Sequence, residues 1–162
     1  MPKLVRNASS FLSGIRKEPK KLERKVLLLV SGIIRFTHQG VTKRTPVHTG
    51  QTLRNYIWSL GVPSSTVKPD PGGPPTGRTN DMPLGPEPRR RQAQAEADQS
   101  RDAILGVLKD PYQKVFLSNN SPQVVGLEYG RYPLPPLRQR SPSGMFRVTL
   151  AEVAARLRAG AL

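Results

Sequence analysis

The residues that most invite a chemical reading are Gly72, Gly77, Arg78 and Thr79. They lie in the run GGPPTGRT, which has the spacing of a phosphate-binding loop except that Arg78 stands where such a loop requires Lys. That loop works by aiming successive backbone N–H groups at phosphates, between a strand and a helix. Pro74 and Pro75 have no N–H to give, and Pro69 and Pro71 prevent a regular strand from leading in. The run therefore predicts neither a nucleotide site nor a bound cofactor. His38 and His48 are the only histidines and have no acidic neighbour in the sequence. A zinc site needs three or four ligands, so these two read as solvent or turn residues. Glu128 and Glu152 stand alone, without the paired carboxylate that acid-base hydrolysis uses, and no G-x-S-x-G turn presents a nucleophile. No catalytic, cofactor-binding or metal-binding residue is assigned, and an enzyme is not expected.

The totals narrow the alternatives. A chain of 162 residues has the size of one domain, and 36% hydrophobic with 6% aromatic residues allows only a modest core. The absence of Cys excludes disulfides and thiolate metal sites. The longest apolar stretch, residues 26–36, is interrupted by Ser31, Gly32 and Arg35 and is too short to cross a bilayer. No secretion signal is evident around it, so an intracellular, soluble protein without a membrane partner is expected. The net charge of +15 suits a polyanionic neighbour, whether nucleic acid, a membrane surface or an acidic protein ring. It is lopsided: residues 1–50 hold 11 Lys or Arg against Glu18 and Glu23, a net +9.

These features need elements to carry them. Leu4, Val5, Ala8, Phe11, Leu12 and Ile15 predict a short helix over residues 3–17, interrupted by Pro19. Leu22, Val26, Leu29, Val30, Ile33 and Ile34 recur at steps of three and four, predicting an amphipathic helix over residues 20–37. Lys21, Arg24 and Lys25 fall on its wet side, either as a solvated face or as nucleic-acid contacts. Pro46 should stop the helix by Thr45, and Thr49-Gly50 supplies turn chemistry. Residues 53–62 alternate, with Tyr56, Trp58, Leu60 and Val62 on one face, and predict a strand with one buried side.

Residues 62–88 hold many breakers and no apolar period, so they predict a long excursion, functional or disordered. Residues 89–108 switch to helix formers, of which only Ala103, Ile104, Val107 and Leu108 need to pack. A second strand is predicted over residues 112–118 and a short helix over 122–130 with Gly130 as its C-terminal cap. A Pro-rich loop should follow at 131–144, then a C-terminal helix presenting Phe146, Leu150, Val153, Ala154 and Leu157. The fold class is α+β: a small antiparallel sheet packed by an N-terminal, a middle and a C-terminal helix. It forms a single domain over residues 1–162, with a basic helical arm at 1–44 and extended loops at 62–88 and 131–144.

Three stretches taken in order resemble a known family. They are TPVHTGQTLRN at residues 45–55, LSNNSPQVVGLEYG at 117–130 and SPSGMFRVTL at 141–150. The set resembles the tail-completion or neck proteins of tailed bacteriophages, also described as head-tail connector or minor tail proteins. In such proteins a helix leads into a P-V-D-T-G-x-L-R turn, then an N-x-x-P-Y-A-x-x-L-E-x-G segment, then a closing P-x-G-x-x-R-x-T helix. His48 stands where members usually carry Asp, and Val124 replaces a small or aromatic residue.

The resemblance implies a virion structural protein of the neck or tail, made in the bacterial cytoplasm, with no catalysis. It implies a homo-oligomeric ring of about six or twelve subunits, closed by symmetry. The ring's partners would be the portal or connector and the tail proteins, with non-specific contact to genomic DNA open. Carried onto this sequence, the motif or interface residues are Thr49, Gly50, Leu53, Arg54, Glu128, Gly130, Gly144 and Arg147. Arg54 and Glu128, the charged residues of the first two stretches, are expected to pair within the subunit or across the ring. The alternative from charge alone is a small basic protein that binds the nucleic-acid backbone non-specifically.

Overall fold

A computed structural model of the chain describes residues 3–47, 49–70, 86–130 and 144–161, with α1 side chains described from Pro19 on. The fold is α+β. Its elements, in chain order, are α1 (Lys3–Arg44), α2 (Gln51–Arg54), β1 (Ile57–Leu60), α3 (Pro86–Val107), β2 (Val115–Ser118), α4 (Val124–Glu128) and α5 (Phe146–Arg158).

The expected break at Pro19 does not occur: α1 runs through it as one helix of 42 residues. A proline inside a helix removes one backbone bond, a penalty of about 3 kcal/mol, and does not end a helix whose flanking turns are otherwise complete. The helix stops where expected, before Pro46. Its last carbonyls are satisfied by the Arg90 guanidinium, which donates to Thr42 O at 3.1 Å and Thr45 O at 3.2 Å.

The strand expected over residues 53–62 is shorter, because Gln51–Arg54 is helical. Leu53 and Tyr56, both 0% exposed, owe their burial to the three-residue helical step into a turn and not to alternation. All four residues of β1 are half-buried, so the single well-buried face is absent. β1 pairs antiparallel with β2 in the register Ile57↔Ser118, Trp58↔Leu117, Ser59↔Phe116 and Leu60↔Val115.

Two apolar clusters hold these elements. One joins Val41 of α1, Leu53 and Tyr56 to Ala93 and Ala97 of α3. The other joins Ile34 to Ile104 and Leu108, with Leu27, Val30, Trp58, Leu60 and Val115 packed around them. Here α3 departs from expectation. Its alanines are core residues because their small side chains let helices approach, whereas Ala103 is exposed and Val107 is 57% exposed. α3 also begins at Pro86, inside the predicted 62–88 excursion.

Residues 62–70 have no regular structure but are tied down by Asn55. Its Oδ1 accepts the Lys68 N–H at 2.7 Å and its Nδ2 donates to Lys68 O at 3.0 Å. His48, the GGPPTGRT run and residues 131–143 lie outside the described residues.

Candidate functional site

The stretches at 45–55, 117–130 and 144–150 meet in one corner of the molecule. Its centre is Glu128, at the end of α4 and 9% exposed. Oε2 accepts the backbone N–H groups of Met145 at 2.7 Å and Phe146 at 2.9 Å. Oε1 accepts the Arg147 backbone N–H at 3.0 Å and its Nε–H at 3.3 Å. Arg147 NH2 closes the ring by donating to Glu128 O at 2.9 Å. α5 has no side-chain cap of its own, so a carboxylate from α4 caps it across 17 residues of sequence. Burial alone would push the Glu128 carboxyl up, but the backbone donors of Arg147, Phe146 and Met145 and the Arg147 side chain outweigh it and hold the group below the usual range.

Gly144 makes this cap possible. Its φ is +93°, and a Cβ there would come within 2.7 Å of Glu128 O. Gly130, at φ +65°, ends the α4 turn on the other side.

Tyr56 links the corner to α1. The Thr45 hydroxyl donates to Val41 O at 2.7 Å and accepts from the Tyr56 hydroxyl at 2.8 Å, with Met145 Sδ beside them. Burial raises the Tyr56 phenol, which therefore stays protonated as the donor. From the second stretch, Asn119 Nδ2 donates to Thr52 O at 2.8 Å and Gln123 Nε2 to Gln51 Oε1 at 2.7 Å.

The carried-over residues thus fall into two groups. Glu128, Gly130, Gly144 and Arg147 form the cap of α5. Thr49 and Gly50 form the turn that starts α2, where Thr49 Oγ1 accepts the Gln51 N–H at 3.2 Å, and Leu53 and Arg54 lie within that helix. Gly50, at φ +94°, lies against Ala93. Leu53 is core. The expected pairing of Arg54 with Glu128 inside the chain is replaced by two others. Arg54 grips Glu96 of α3 through Nε at 3.0 Å and NH2 at 2.7 Å, and Glu128 is consumed by α5. Three of the four acceptor sites on Glu128 are filled by backbone donors from the start of α5 and the fourth by the Arg147 Nε–H, leaving no room for a second guanidinium.

Sequence reading also misplaced His38, which is buried at 1% exposure instead of facing solvent. Its Nδ1 accepts from Trp58 Nε1–H at 3.2 Å, so the proton sits on Nε2, which donates to Asp98 at 2.8 Å. Burial lowers its pKa, with Asp98 opposing. Asp98 and Trp58 are far away in sequence, and no local signal announces them. Both ring nitrogens are occupied, so His38 has none left to take a proton from a substrate. Among the described residues no group of three or more His, Asp or Glu could hold a metal ion. Glu152, isolated in the sequence, pairs with Arg44. No helix among the described residues is long and apolar enough to cross a membrane.

A second feature is an open groove of about 520 Å³ between the end of α1 and α5. Lys43, Arg44 and Arg156 line it with Glu152 as the single acid, and the Arg156 guanidinium lies 4.2 Å from the Phe36 ring centroid.

Comparison of the chain with protein-family models, with curated proteins and with solved structures finds no match.

Proposed function

We propose that the chain is a virion structural protein that completes the head-tail junction of a tailed bacteriophage, acting as a subunit of a neck ring. The observation that carries the reading is the convergence just described. Three stretches that resemble neck proteins in order lie far apart in the chain, yet Glu128, Gly144 and Tyr56 knit them into one substructure. The polar groups of that corner are directed at holding backbone together, as a structural subunit requires. A basic α1 end suits an acidic neighbouring ring or packaged DNA.

The test is electron microscopy of lysates from a phage whose copy carries a stop codon at Gln51. Filled heads beside unattached tails, or heads that have leaked DNA, are the expected result; normal infectious particles would remove the reading. The groove lined by Lys43, Arg44 and Arg156 favours one other reading, non-specific binding to the nucleic-acid backbone. A steep loss of DNA affinity with added salt, together with no incorporation into particles, would select it.

A further inference from the structure

Because α1 is unbroken, its apolar residues form two stripes. Leu27, Val30, Ile34 and Val41 face the two cores. A second set steps by three and four along the helix: Val5, Ala8, Leu12, Ile15, then Leu22, Val26, Leu29 and Ile33. These are the a and d positions of a heptad, interrupted only by Pro19. Where side chains are described, Leu22 is 59% and Leu29 39% exposed, and Val26 and Ile33 between and beyond them are half-buried.

The next positions of the same stripe, Phe36 and Gly40, are covered by α5. Thr149 lies against Gly40 and Arg156 over Phe36, so α5 runs antiparallel to α1. This face already packs an antiparallel helix at one end, and further along it Leu22 and Leu29 are exposed.

The flanking charges say what would cover it. Glu18 and Lys25 are g positions, and Arg16 and Glu23 are e positions. If two copies pair antiparallel with Pro19 opposite Leu22, Glu18 meets Lys25 and Arg16 meets Glu23, each pair occurring twice by symmetry. The same register sets Ile15 against Val26, Leu12 against Leu29 and Ala8 against Ile33. Shifting by one heptad sets Glu18 against Glu18 and Arg16 against Arg16, or Lys25 against Lys25 and Glu23 against Glu23. A parallel pair sets Glu18 against Glu23. One arrangement alone is attractive throughout.

We propose that the free protein forms an antiparallel dimer along this α1 stripe, with Pro19 of each copy facing Leu22 of the other. The paired stretch, residues 8–33, is about 39 Å long at the helical rise. The pairing does not depend on the head-tail reading.

The chain has no Cys, so introduced ones report without background. Ile15→Cys protein mixed with Val26→Cys protein under mild oxidation is expected to give the mixed disulfide. Neither should cross-link to itself, because like positions lie about 16 Å apart along the axis. Absence of the mixed product would overturn the proposal, whatever the mass in solution. So would efficient self-cross-linking of Leu29→Cys, which marks a parallel pair. By sedimentation equilibrium, Glu18→Lys should weaken the dimer several-fold, and Glu18→Lys with Lys25→Glu should restore it. A single change that strengthens association, or a double change that restores nothing, would also sink the register. Circular dichroism checks that each substituted protein retains the fold.

Discussion

The two ends of α1 make the most instructive contrast in the molecule. Around residues 34–45, Ile34, His38, Val41 and Thr45 are each no more than 2% exposed. Residues 19–25 are exposed, and Leu28 is 68% exposed. Helical periodicity is equally clear in both halves, so it does not decide which half is buried. What distinguishes the buried end is the supply of partners for its polar groups. Thr42 and Thr45 donate back to the helix, Arg90 covers the last carbonyls, and His38 sits between Trp58 and Asp98. Those partners come from α3, β1 and the corner around Glu128.

That contrast is open to attack at several points. The largest effect is expected from Glu128→Ala, which orphans the first backbone donors of α5. It should destabilise the protein by about 3 kcal/mol in denaturant unfolding, more than a single ordinary hydrogen bond. A loss below half of that would mean that the corner is not what holds α5. Gly144→Ala comes next, at about 2 kcal/mol, since it strains a left-handed residue and drives a Cβ toward Glu128 O. An unchanged unfolding midpoint would show that the backbone there can relax.

The pH response follows from His38. Its folded pKa lies below the ordinary 6.5, so the unfolded chain takes up the proton first. Stability is therefore full above pH 6.5 and declines as pH falls toward the folded pKa, by no more than about 1.4 kcal/mol per unit. His38→Gln should flatten that slope between neutrality and mild acid. Glu128, depressed in the fold, adds a second loss at lower pH, below its ordinary 4.5. Thermal melts across pH read both. The smallest effect belongs to the free end: Leu28→Ala, outside both stripes of α1, should change stability by less than about 0.5 kcal/mol. A larger loss would mean that the arm is packed after all.

Much of the molecule was legible in the residues alone. Steps of three and four marked α1, Pro46 marked its end, the runs at 53–62 and 112–118 marked the β1 and β2 region, and Gly130 marked the end of α4. Local rules sufficed because each feature depends on near neighbours in the chain. Length was harder: Pro19 reads as a stop only if helix propensity outweighs the remaining backbone bonds, and here it does not. Alternation around Leu53 and Tyr56 mimicked a strand because a helical step and a turn can place the same residues inward.

The partners of charged residues were not legible at all. Nothing local says that Arg54 takes Glu96 and not Glu128, that Glu128 caps a helix 17 residues later, or that Asp98 reaches His38. Each is a choice among carboxylates and cations of equal chemistry, made by which elements pack side by side. The sequence by itself determined the type of most elements, the basic arm and the absence of thiol chemistry. Only the tertiary structure decided which polar groups are spent inside the fold, because hydrogen bonding is short-ranged and selects partners by position in space.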